Sequence, residues 1–326
     1  MNSFGRIFRI SIFGESHGKA VGIVVDGCPP GITLAEEDLE ADLARRKSGA
    51  KGTTSRREDD KPIFLSGVHN GKTTGSPIAV MFHNADVISS DYDMFRDVPR
   101  PGHANFVAKK KYEGFSDIRG GGHFSGRLTL GLVTAGVIAK KIINPIQVKA
   151  DLLEAGGEKN IDKAIQKAIK NNDSIGGIIE CRSLNMPVGL GEPFFDSVES
   201  LLSHLVFSIP GVKAIEFGSG FKAAAMTGIQ HNDPFITISG KTKTNHAGGV
   251  NGGITNSNDL VFRIAVKPTA SISKTQHTMN TKMVKMVDLE VKGRHDLCIA
   301  LRIPVIVEAA TAVVLADLMM INKTIS

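Results

Sequence analysis

The sequence predicts a single α/β domain, residues 1–326, with long functional loops. Strand-like apolar runs alternate with amphipathic segments along the whole chain. The composition, 41% hydrophobic and 22% charged with a mean hydropathy near zero, is that of a soluble globular protein. The length would permit two domains, but no low-complexity tract, Pro-rich hinge or charge block divides the sequence.

Composition excludes several classes of protein. The 35 glycines follow no fixed period, which argues against collagen-like and solenoid architectures. The chain has no Trp and two Tyr, so stacking platforms for single-stranded nucleic acid are scarce. Its three cysteines, Cys28, Cys181 and Cys298, are widely spaced, which fits a reducing cytoplasm better than a disulfide framework.

Charge and hydropathy indicate the kind of partner. A net charge of +6 and a pI near 9.1 favour an anionic ligand, most simply a phosphorylated one, with nucleic acid as the competing explanation. The N-terminus has no unbroken signal-peptide core. The apolar segment 303–321 contains Glu308 and Asp317, so we expect a buried helix rather than a membrane span.

The first motif is a polar turn between two strands. The runs Ile7–Phe13 and Val21–Val25 read as strands, joined through Gly14–Gly18. His17 titrates near neutral pH and can carry a proton during a reaction; alternatively, the polar residues only satisfy the turn. Ser16 and His17 are adjacent, so we do not expect their side chains to face each other as a nucleophile–base pair.

The next segment predicts a helix and a loop. Thr33–Glu36 has the pattern of a capping box, and the helix should run to about Lys47. Leu39, Leu43 and Arg46 share one face, so Arg46 either reaches into a site or snorkels at the helix end. Residues 47–62 lack apolar periodicity and form a loop, whose charge run 56–60 reads as solvated surface.

Two loops with functional residues follow the strands Ile63–Val68 and Ile78–Phe82. In the first, Pro101 and Gly102 should hold Arg100 and His103 in a defined relation. In the second, Arg119–Arg127, three glycines followed by Ser125 and a helix predict a phosphate cradle that is not a Walker loop. The helix beyond carries small residues and should pack closely, with Leu128, Leu132, Ala135, Gly136, Ala139 and Ile142 on it.

The second half predicts an amphipathic helix at 160–172, a strand from 175 to 181 and a capped helix that starts at 196–199. The glycine-rich patch 245–253 is either a ligand loop or a flexible connector. Lys267–Ser271 follows a strand at Leu260–Val266 and supplies a cation and two hydroxyls. Gly293–Asp296 is either a surface ion cluster or a site that holds a phosphate and a proton acceptor together.

These features together indicate a phosphorylated substrate and proton transfer, because histidines, arginines and glycine-rich turns recur in the loops. No HxxxH or HxH pairing appears in the sequence, so a metal site is not predicted.

Six ordered motifs resemble those of the chorismate synthase family: GESHG, RPGHA, RGGG-x-x-S-x-R, NHAGG-x-x-GG, KPT-x-S and GRHD-x-C. The resemblance spans the chain and implies a β-α-β sandwich and a homotetramer. It implies a lyase that converts 5-enolpyruvylshikimate 3-phosphate to chorismate and phosphate, the last common step of the shikimate pathway to aromatic amino acids. The family requires reduced FMN without net redox change. A basic, Gly-rich nucleotide- or nucleic-acid-binding protein is the alternative.

The resemblance also implies residue roles. His17 would protonate or stabilise the departing phosphate, His103 would protonate reduced flavin, and Asp296 would assist proton removal. The substrate would be bound by Ser16, Arg46, Arg100, Arg127 and Arg294. The cofactor would be bound by His123, Phe124, Ser125, Gly252, Lys267, Pro268, Thr269, Ala270, Ser271 and Arg294.

This chain departs from the family pattern in two places. It has His123–Arg127 where many members read RSSAR, so His123 stands where a flavin-phosphate cation is common. The loop 47–52 has Lys51 near a position where many members carry Arg. No long insertion suggests a built-in flavin reductase, so NADPH would enter indirectly, through a separate reductase in the cytoplasm.

Overall fold

The computed structural model describes residues 2–56, 58–85, 90–291, 293 and 295–325. These residues form strands, helices and short 3-10 turns. The strands are β1 (Ser3–Phe4), β2 (Arg9–Gly14), β3 (Ala20–Asp26), β4 (Ile63–Ser66), β5 (Val68–His69), β6 (Lys72–Thr73), β7 (Ile78–His83), β8 (Gln147–Ala155), β9 (Gly177–Leu184), β10 (Val212–Phe217), β11 (Val250–Asn251), β12 (Ile254–Thr255), β13 (Leu260–Val266), β14 (Gln276–Asn280) and β15 (Lys285–Leu289). The helices are α1 (Glu37–Arg46), α2 (Asn105–Lys111), α3 (Thr129–Ile142), α4 (Ile161–Lys170), α5 (Val198–Val206), α6 (Gly228–His231) and α7 (Pro304–Ile325). The 3-10 turns span Ser90–Arg96, Arg119–Phe124, Gly126–Leu128, Phe194–Asp196, Gly220–Ala225 and Ile299–Arg302.

Two antiparallel sheets form the outer layers. One has the strand order β1-β2-β3-β7-β4 and the other the order β10-β13-β9-β8. In β13, residues alternate between buried and half-buried positions, as expected for a strand with one face on the core. Three two-stranded ribbons, β5-β6, β11-β12 and β14-β15, lie outside these sheets.

Helices α3 and α7 form the layer between the sheets. They pack on each other, α3 also packs on β3, and α7 also packs on β8 and β9. One hydrophobic cluster runs through both sheets and both helices. The α/β sandwich predicted from the sequence is therefore confirmed.

The predicted hairpin is confirmed and places its turn at the end of the first sheet. Strands β2 and β3 pair from Arg9 with Asp26 to Gly14 with Val21. The polar residues 15–18 thus project from the sheet end between these strands.

The predicted capping box at Thr33–Glu36 is wrong. Helix α1 begins at Glu37, and its N-cap residue, Glu36, makes no side-chain cap. Thr33 instead forms a β-bridge with Lys72, and the Asp38 carboxylate accepts a hydrogen bond from the backbone N–H of Ala35 (2.8 Å). Pairing with the β6 strand therefore takes Thr33 out of the helix terminus.

The C-terminal helix α7 is long and apolar enough to cross a membrane by composition alone, with a mean hydropathy of 2.0 over 18 residues. However, 78% of that window is buried inside the protein, as in a core helix. Its two acidic residues are buried and paired. Glu308 receives two hydrogen bonds from Arg45, each 2.7 Å long, and Asp317 accepts backbone N–H groups near the N-terminus.

Candidate active site

A large cavity, of about 1840 Å³, lies beside the turn after β2. Its walls come from distant parts of the chain: the end of α1 and the loop after it, residues 100–104, the Gly-rich segment before α3, the loop after β13, and residues 295–303. The sandwich therefore brings most of the sequence-predicted loops to one place.

Most predicted site residues line this cavity. They are Arg46, Arg100, His103, His123, Phe124, Ser125, Arg127, Lys267, Pro268, Thr269, Ala270, Ser271 and Asp296. Ser16 and His17 lie behind its wall instead, and His17 is 7% exposed. Gly252 lies apart, in the exposed turn of the β11-β12 ribbon, and Arg294 falls outside the described residues.

His17 is held between two cavity-lining residues. Its ring packs edge-on against Tyr92, with ring centroids 5.0 Å apart. On the other side is Gly120, at a φ of 59°, where an added Cβ would lie 2.1 Å from the His17 ring. Any side chain at position 120 would displace the imidazole, so glycine is required there by both space and conformation.

Ser16 and His17 do face each other, contrary to the sequence-based expectation. The Ser16 hydroxyl lies 3.1 Å from His17 Nδ1 and donates to the Arg119 carbonyl (3.3 Å). Ser16 is fully buried, so it orients the imidazole and is not an accessible nucleophile. Burial lowers the pKa of His17, and the Arg56 and Arg119 cations lower it further.

Arg100 and His103 form a second unit. Arg100 donates to Asn105 Oδ1 (2.9 Å) and Ser271 Oγ (3.0 Å), and its guanidinium lies over the Phe95 ring, 4.6 Å from the centroid. Arg100 Nη2 lies 3.3 Å from His103 Nδ1. Because a guanidinium can only donate, Nδ1 accepts, and the neutral imidazole carries its proton on Nε2.

Burial disfavours the charged forms of both Arg100 and His103 and so lowers their pKa values. Burial lowers the pKa of Arg100 to about 10. Burial also lowers that of His103, to about 3, with further contributions from Arg100 and Lys267. At neutral pH His103 is therefore a neutral hydrogen-bond donor, and a negative charge placed beside it would raise its pKa.

A buried triad lies at the end of α1. Asp60 Oδ2 accepts from Arg46 Nη2 (2.9 Å), and Asp60 Oδ1 accepts from Arg127 Nη1 (2.8 Å). Burial lowers the pKa of Arg46 to about 10. Burial alone would raise the pKa of the Asp60 carboxyl, but the two arginines together bring it below its usual value. Arg46 thus reaches the site, and the snorkelling alternative is excluded.

The expectation that the charge run 56–60 is solvated surface is wrong at Glu58 and Asp60, whereas Asp59 is exposed and Arg57 lies outside the described residues. Asp60 is buried, the Glu58 side chain is 6% exposed, and Arg56 pairs with Glu58 at 2.5 Å. The Glu58 and Asp60 carboxylates each have an arginine beside them, which is what allows these two to be buried. The sequence pattern missed this because the partners are fixed by the tertiary fold.

His123 is fixed by the hairpin turn. Its Nδ1 donates to the Gly14 carbonyl (2.8 Å), which leaves Nε2 for other partners. Ser125 caps the 3-10 turn before α3 by accepting from the Arg127 N–H (3.3 Å). The predicted glycine-rich entry to a helix is therefore present, with the turn Gly126–Leu128 inserted between the glycines and α3.

The loop after β13 reaches across the cavity. Lys267 Nζ donates to the Gly102 carbonyl (2.6 Å), which connects this loop to the Arg100–His103 turn. The Thr269 hydroxyl is buried without a hydrogen-bond partner among the described residues. An unsatisfied buried hydroxyl beside a cavity indicates a place where a ligand atom can bind.

Asp296 is already paired. Its carboxylate accepts from Arg302 Nη1 (3.1 Å to Oδ2) and from the Thr54 N–H (2.9 Å to Oδ1), and Arg302 Nε donates to the Arg46 carbonyl (2.8 Å). Arg302 and Asp60 also line the candidate site, and sequence reasoning missed both. Neither belongs to a glycine-rich motif, which was the signal that selected the other residues.

Comparisons with known proteins agree with this arrangement. A model of the chorismate synthase family matches residues 8–320. A chorismate synthase from Chitinophaga pinensis is 60% identical over 324 residues, which cover 99% of this chain and 98% of that protein. One from Dehalococcoides mccartyi is 45% identical over 349 residues, covering 97% of this chain and 96% of that protein. A crystal structure of chorismate synthase superposes with a TM-score of 0.75 at 25% identity, over 98% of this chain and 93% of that one. The chain therefore belongs to the chorismate synthase family.

Proposed function

We propose that this chain is a lyase that converts 5-enolpyruvylshikimate 3-phosphate to chorismate and inorganic phosphate. The net reaction breaks one C–O and one C–H bond and forms a carbon–carbon double bond. The observation that carries the proposal is the buried cationic wall of the cavity, formed by Arg46, Arg100 and Arg127. Buried guanidinium groups bind phosphate and carboxylate groups strongly because water competes less with them.

The arginines would bind and orient the substrate, and they would stabilise the negative charge that develops on the leaving phosphate. His103 offers Nε2–H as a hydrogen-bond donor inside the cavity, next to Arg100, and would donate a proton only after an anionic ligand had raised its pKa and let it take one up. His17 sits one layer back from the cavity, where Ser16 and the edge-on Tyr92 ring orient it. Asp296 would accept a proton only after loosening its pairing with Arg302.

Reduced FMN fits the residues of this cavity. Apolar side chains such as Ile10, Ile12 and Leu132 line one part of it and suit a planar ring. Lys267, His123 and the unpartnered Thr269 hydroxyl supply polar groups for a flavin phosphate and its ribityl chain. When bound, reduced flavin supplies electron density and takes it back, so the reaction has no net redox change.

The remaining family properties are also part of the proposal: a single domain over residues 1–326, a homotetramer, a cytoplasmic location, and a separate NADPH-dependent reductase that supplies reduced flavin. The continuous core of both sheets supports the single domain. Gly252, which lies away from the cavity of its own chain, stays a predicted cofactor contact. The nucleic-acid-binding alternative gains no support from the comparisons.

The proposal is tested with purified protein under anaerobic conditions. With reduced FMN and 5-enolpyruvylshikimate 3-phosphate, we expect equal amounts of chorismate and phosphate, measured by absorbance and by a phosphate assay. Oxidised FMN is the control and should give neither product. Folded protein that binds reduced FMN yet forms no chorismate would refute the proposal.

Two variants in the same assay address the histidines. Loss of a positioned proton donor costs about 100- to 10,000-fold in rate, so His17→Ala and His103→Ala should both be slowed strongly. Substrate addition is followed through the spectrum of bound reduced FMN. If His17 acts on the phosphate and His103 on the flavin, this spectral response should differ from that of the wild type in His103→Ala and not in His17→Ala. Near-normal turnover in both variants would make the histidines structural.

A further inference from the structure

Asp60 has no part in the reaction described so far, although it lies at the centre of the arginine cluster. Its side chain is 1% exposed and contacts two arginines from different parts of the chain. Arg46 is the last residue of α1, and Arg127 lies in the 3-10 turn before α3. The carboxylate therefore links two walls of the cavity.

The two arginines differ in how many of their N–H groups are used. Arg127 also donates through Nε to Asn84 Oδ1 and through Nη2 to the His83 carbonyl (2.9 Å). Arg46 Nε is buried and has no acceptor among the described residues. Arg127 is thus anchored by the protein on three sides, whereas Arg46 is held at one corner and keeps an unsatisfied N–H.

The distribution of charge also distinguishes Arg46 from Arg127. The Asp60 carboxylate is shared by Arg46 and Arg127, whereas Glu58 pairs with Arg56 at 2.5 Å and its Oε2 lies 3.8 Å from Arg127 Nη2. Among the described residues of this cluster, three guanidinium groups thus face two carboxylates, and Arg46 has only its shared contact with Asp60. An unsatisfied donor and an unbalanced charge meet on the same residue, Arg46, which lines the cavity.

The backbone at Asp60 supports a dedicated role. Its φ is 51°, in the left-handed region that side-chain-bearing residues adopt rarely. Asp tolerates that region better than most residues do. In this conformation the Asp60 carboxylate contacts both arginines.

We propose that Asp60 is a positioning residue for anion binding: it fixes Arg46 and Arg127 in relation to each other and leaves the free N–H of Arg46 for the phosphate group of the ligand. This inference rests on the proposed function in one respect only, namely that the phosphate bound here is that of the substrate.

The proposal makes a prediction opposite in sign to simple charge counting. Removing a negative charge beside two cations should, by Coulomb's law alone, strengthen anion binding. If Asp60 positions the arginines, its removal should weaken binding because the arginines repel each other and lose their fixed orientation. The direction of the change therefore distinguishes the two.

The experiment titrates inorganic phosphate into the full-length protein by calorimetry. We expect Asp60→Asn to weaken phosphate binding about 10-fold or more, the size expected for losing hydrogen bonds to charged groups. Asp42→Asn is the matched control, since Asp42 pairs with Lys140 and Arg45 outside the cavity, and it should bind phosphate like the wild type. Unchanged or tighter binding by Asp60→Asn would overturn the proposal.

A double-mutant cycle with Arg46→Ala separates positioning from a general loss of structure. If Asp60 acts through Arg46, then Asp60→Asn should cost much less in the Arg46→Ala background than in the wild type. Equal costs in both backgrounds would contradict the proposal. Should Asp60→Asn fail to fold, Asp60→Glu keeps the charge but moves it by one methylene; wild-type phosphate affinity in that variant would also contradict it.

The outcomes for the two proposals are separable. Wild-type protein that forms chorismate, together with an Asp60→Asn variant of normal phosphate affinity, would leave the function intact and refute the positioning role. Wild-type protein that forms no chorismate would refute the function. The phosphate affinities of the double-mutant cycle would still test the role of Asp60.

Discussion

At the residue scale, burial lowers the pKa values of His17, Arg46, Arg100 and His103. His103 is the clearest case, because Arg100 and Lys267 add positive charge near an imidazole that is already largely buried. The His103 imidazole is thus neutral at neutral pH although it lies next to two cations. A phosphorylated ligand would bring the negative charge that lets this histidine take up a proton.

His103 should make the folded protein sensitive to acid. Its pKa is about 3 when folded and about 6.5 when unfolded, so the unfolded state binds more protons between these values. The free energy of unfolding should therefore fall as the pH drops below about 6.5, by up to ~1.4 kcal/mol per pH unit for this one group. His17, whose pKa is also lowered, contributes with the same sign.

The measurement is urea unfolding between pH 5 and 7, where carboxyl groups contribute little. His103→Gln should flatten the dependence on pH, whereas His69→Gln, at an exposed position in β5, should keep the wild-type slope. A His103→Gln variant with an unchanged slope would show that the imidazole titrates normally in the folded protein.

Residue-scale features were predictable from the sequence where they depend on local chemistry. The Arg100–His103 turn and the glycines before Ser125 were identified because Pro and Gly restrict or free the backbone at known positions. Asp60 and Arg302 were missed because long-range contacts bring them to the site: Asp60 pairs with Arg46 and Arg127, 14 and 67 residues away, and Arg302 contacts the Arg46 carbonyl, 256 residues away. No local pattern encodes such contacts.

At the element scale, the contact between α3 and α7 determines how closely the two sheets approach. The sequence predicted that the small residues of α3 would allow close packing, and this is confirmed at Gly136. A Cβ added there would lie 2.3 Å from the Ala309 Cβ and 2.4 Å from its Cα. The partner helix could not be predicted, because α7 is apolar on nearly all sides and shows no single buried face.

Gly136→Ala should destabilise the protein even though Ala favours helices. The gain in helix propensity is about 1 kcal/mol, and overpacking a core typically costs about 1–3 kcal/mol. Here the clash is with helix backbone, which cannot move aside by a rotamer change, so we expect a net loss of roughly 1–2 kcal/mol in urea unfolding. Gly228→Ala in α6 meets nothing within 4 Å and should stay within about 0.5 kcal/mol of the wild type. Equal stability of the two variants would show that α3 and α7 can separate freely.

At the scale of the whole molecule, the cavity is lined by elements that lie far apart in the sequence, so it depends on the complete fold. Strand bounds such as Leu260–Val266 were predicted correctly, since alternation and β-branched residues are local signals. The order of strands in the two sheets was not predictable from the residues, because it depends on pairings such as β13 with β9 and β10. The sandwich itself came from the family resemblance.

One buried carboxylate joins the two ends of the chain. Asp317, in α7, accepts hydrogen bonds from the backbone N–H groups of Arg6, Ile7 and Phe8, at 2.8–2.9 Å. The segment that leads into β2, and hence into the site hairpin, is therefore fixed to the helix between the sheets. This contact connects the stability of the N-terminal sheet to that of the central layer.

Asp317→Asn should cost the protein about 1–3 kcal/mol per N–H group left without an acceptor, since buried donors are expensive to leave unsatisfied. Asn keeps one oxygen, so we expect the loss of about one or two of the three hydrogen bonds, measured by urea unfolding at neutral pH. Asp196→Asn is the matched control: Asp196 pairs with the Arg6 side chain at the surface, where ion pairs contribute about 0–1 kcal/mol. Because Asp317 lies outside the cavity, turnover per folded molecule should stay near that of the wild type. If Asp317→Asn were as stable as Asp196→Asn, the N-terminal segment would be held by its strand pairing alone.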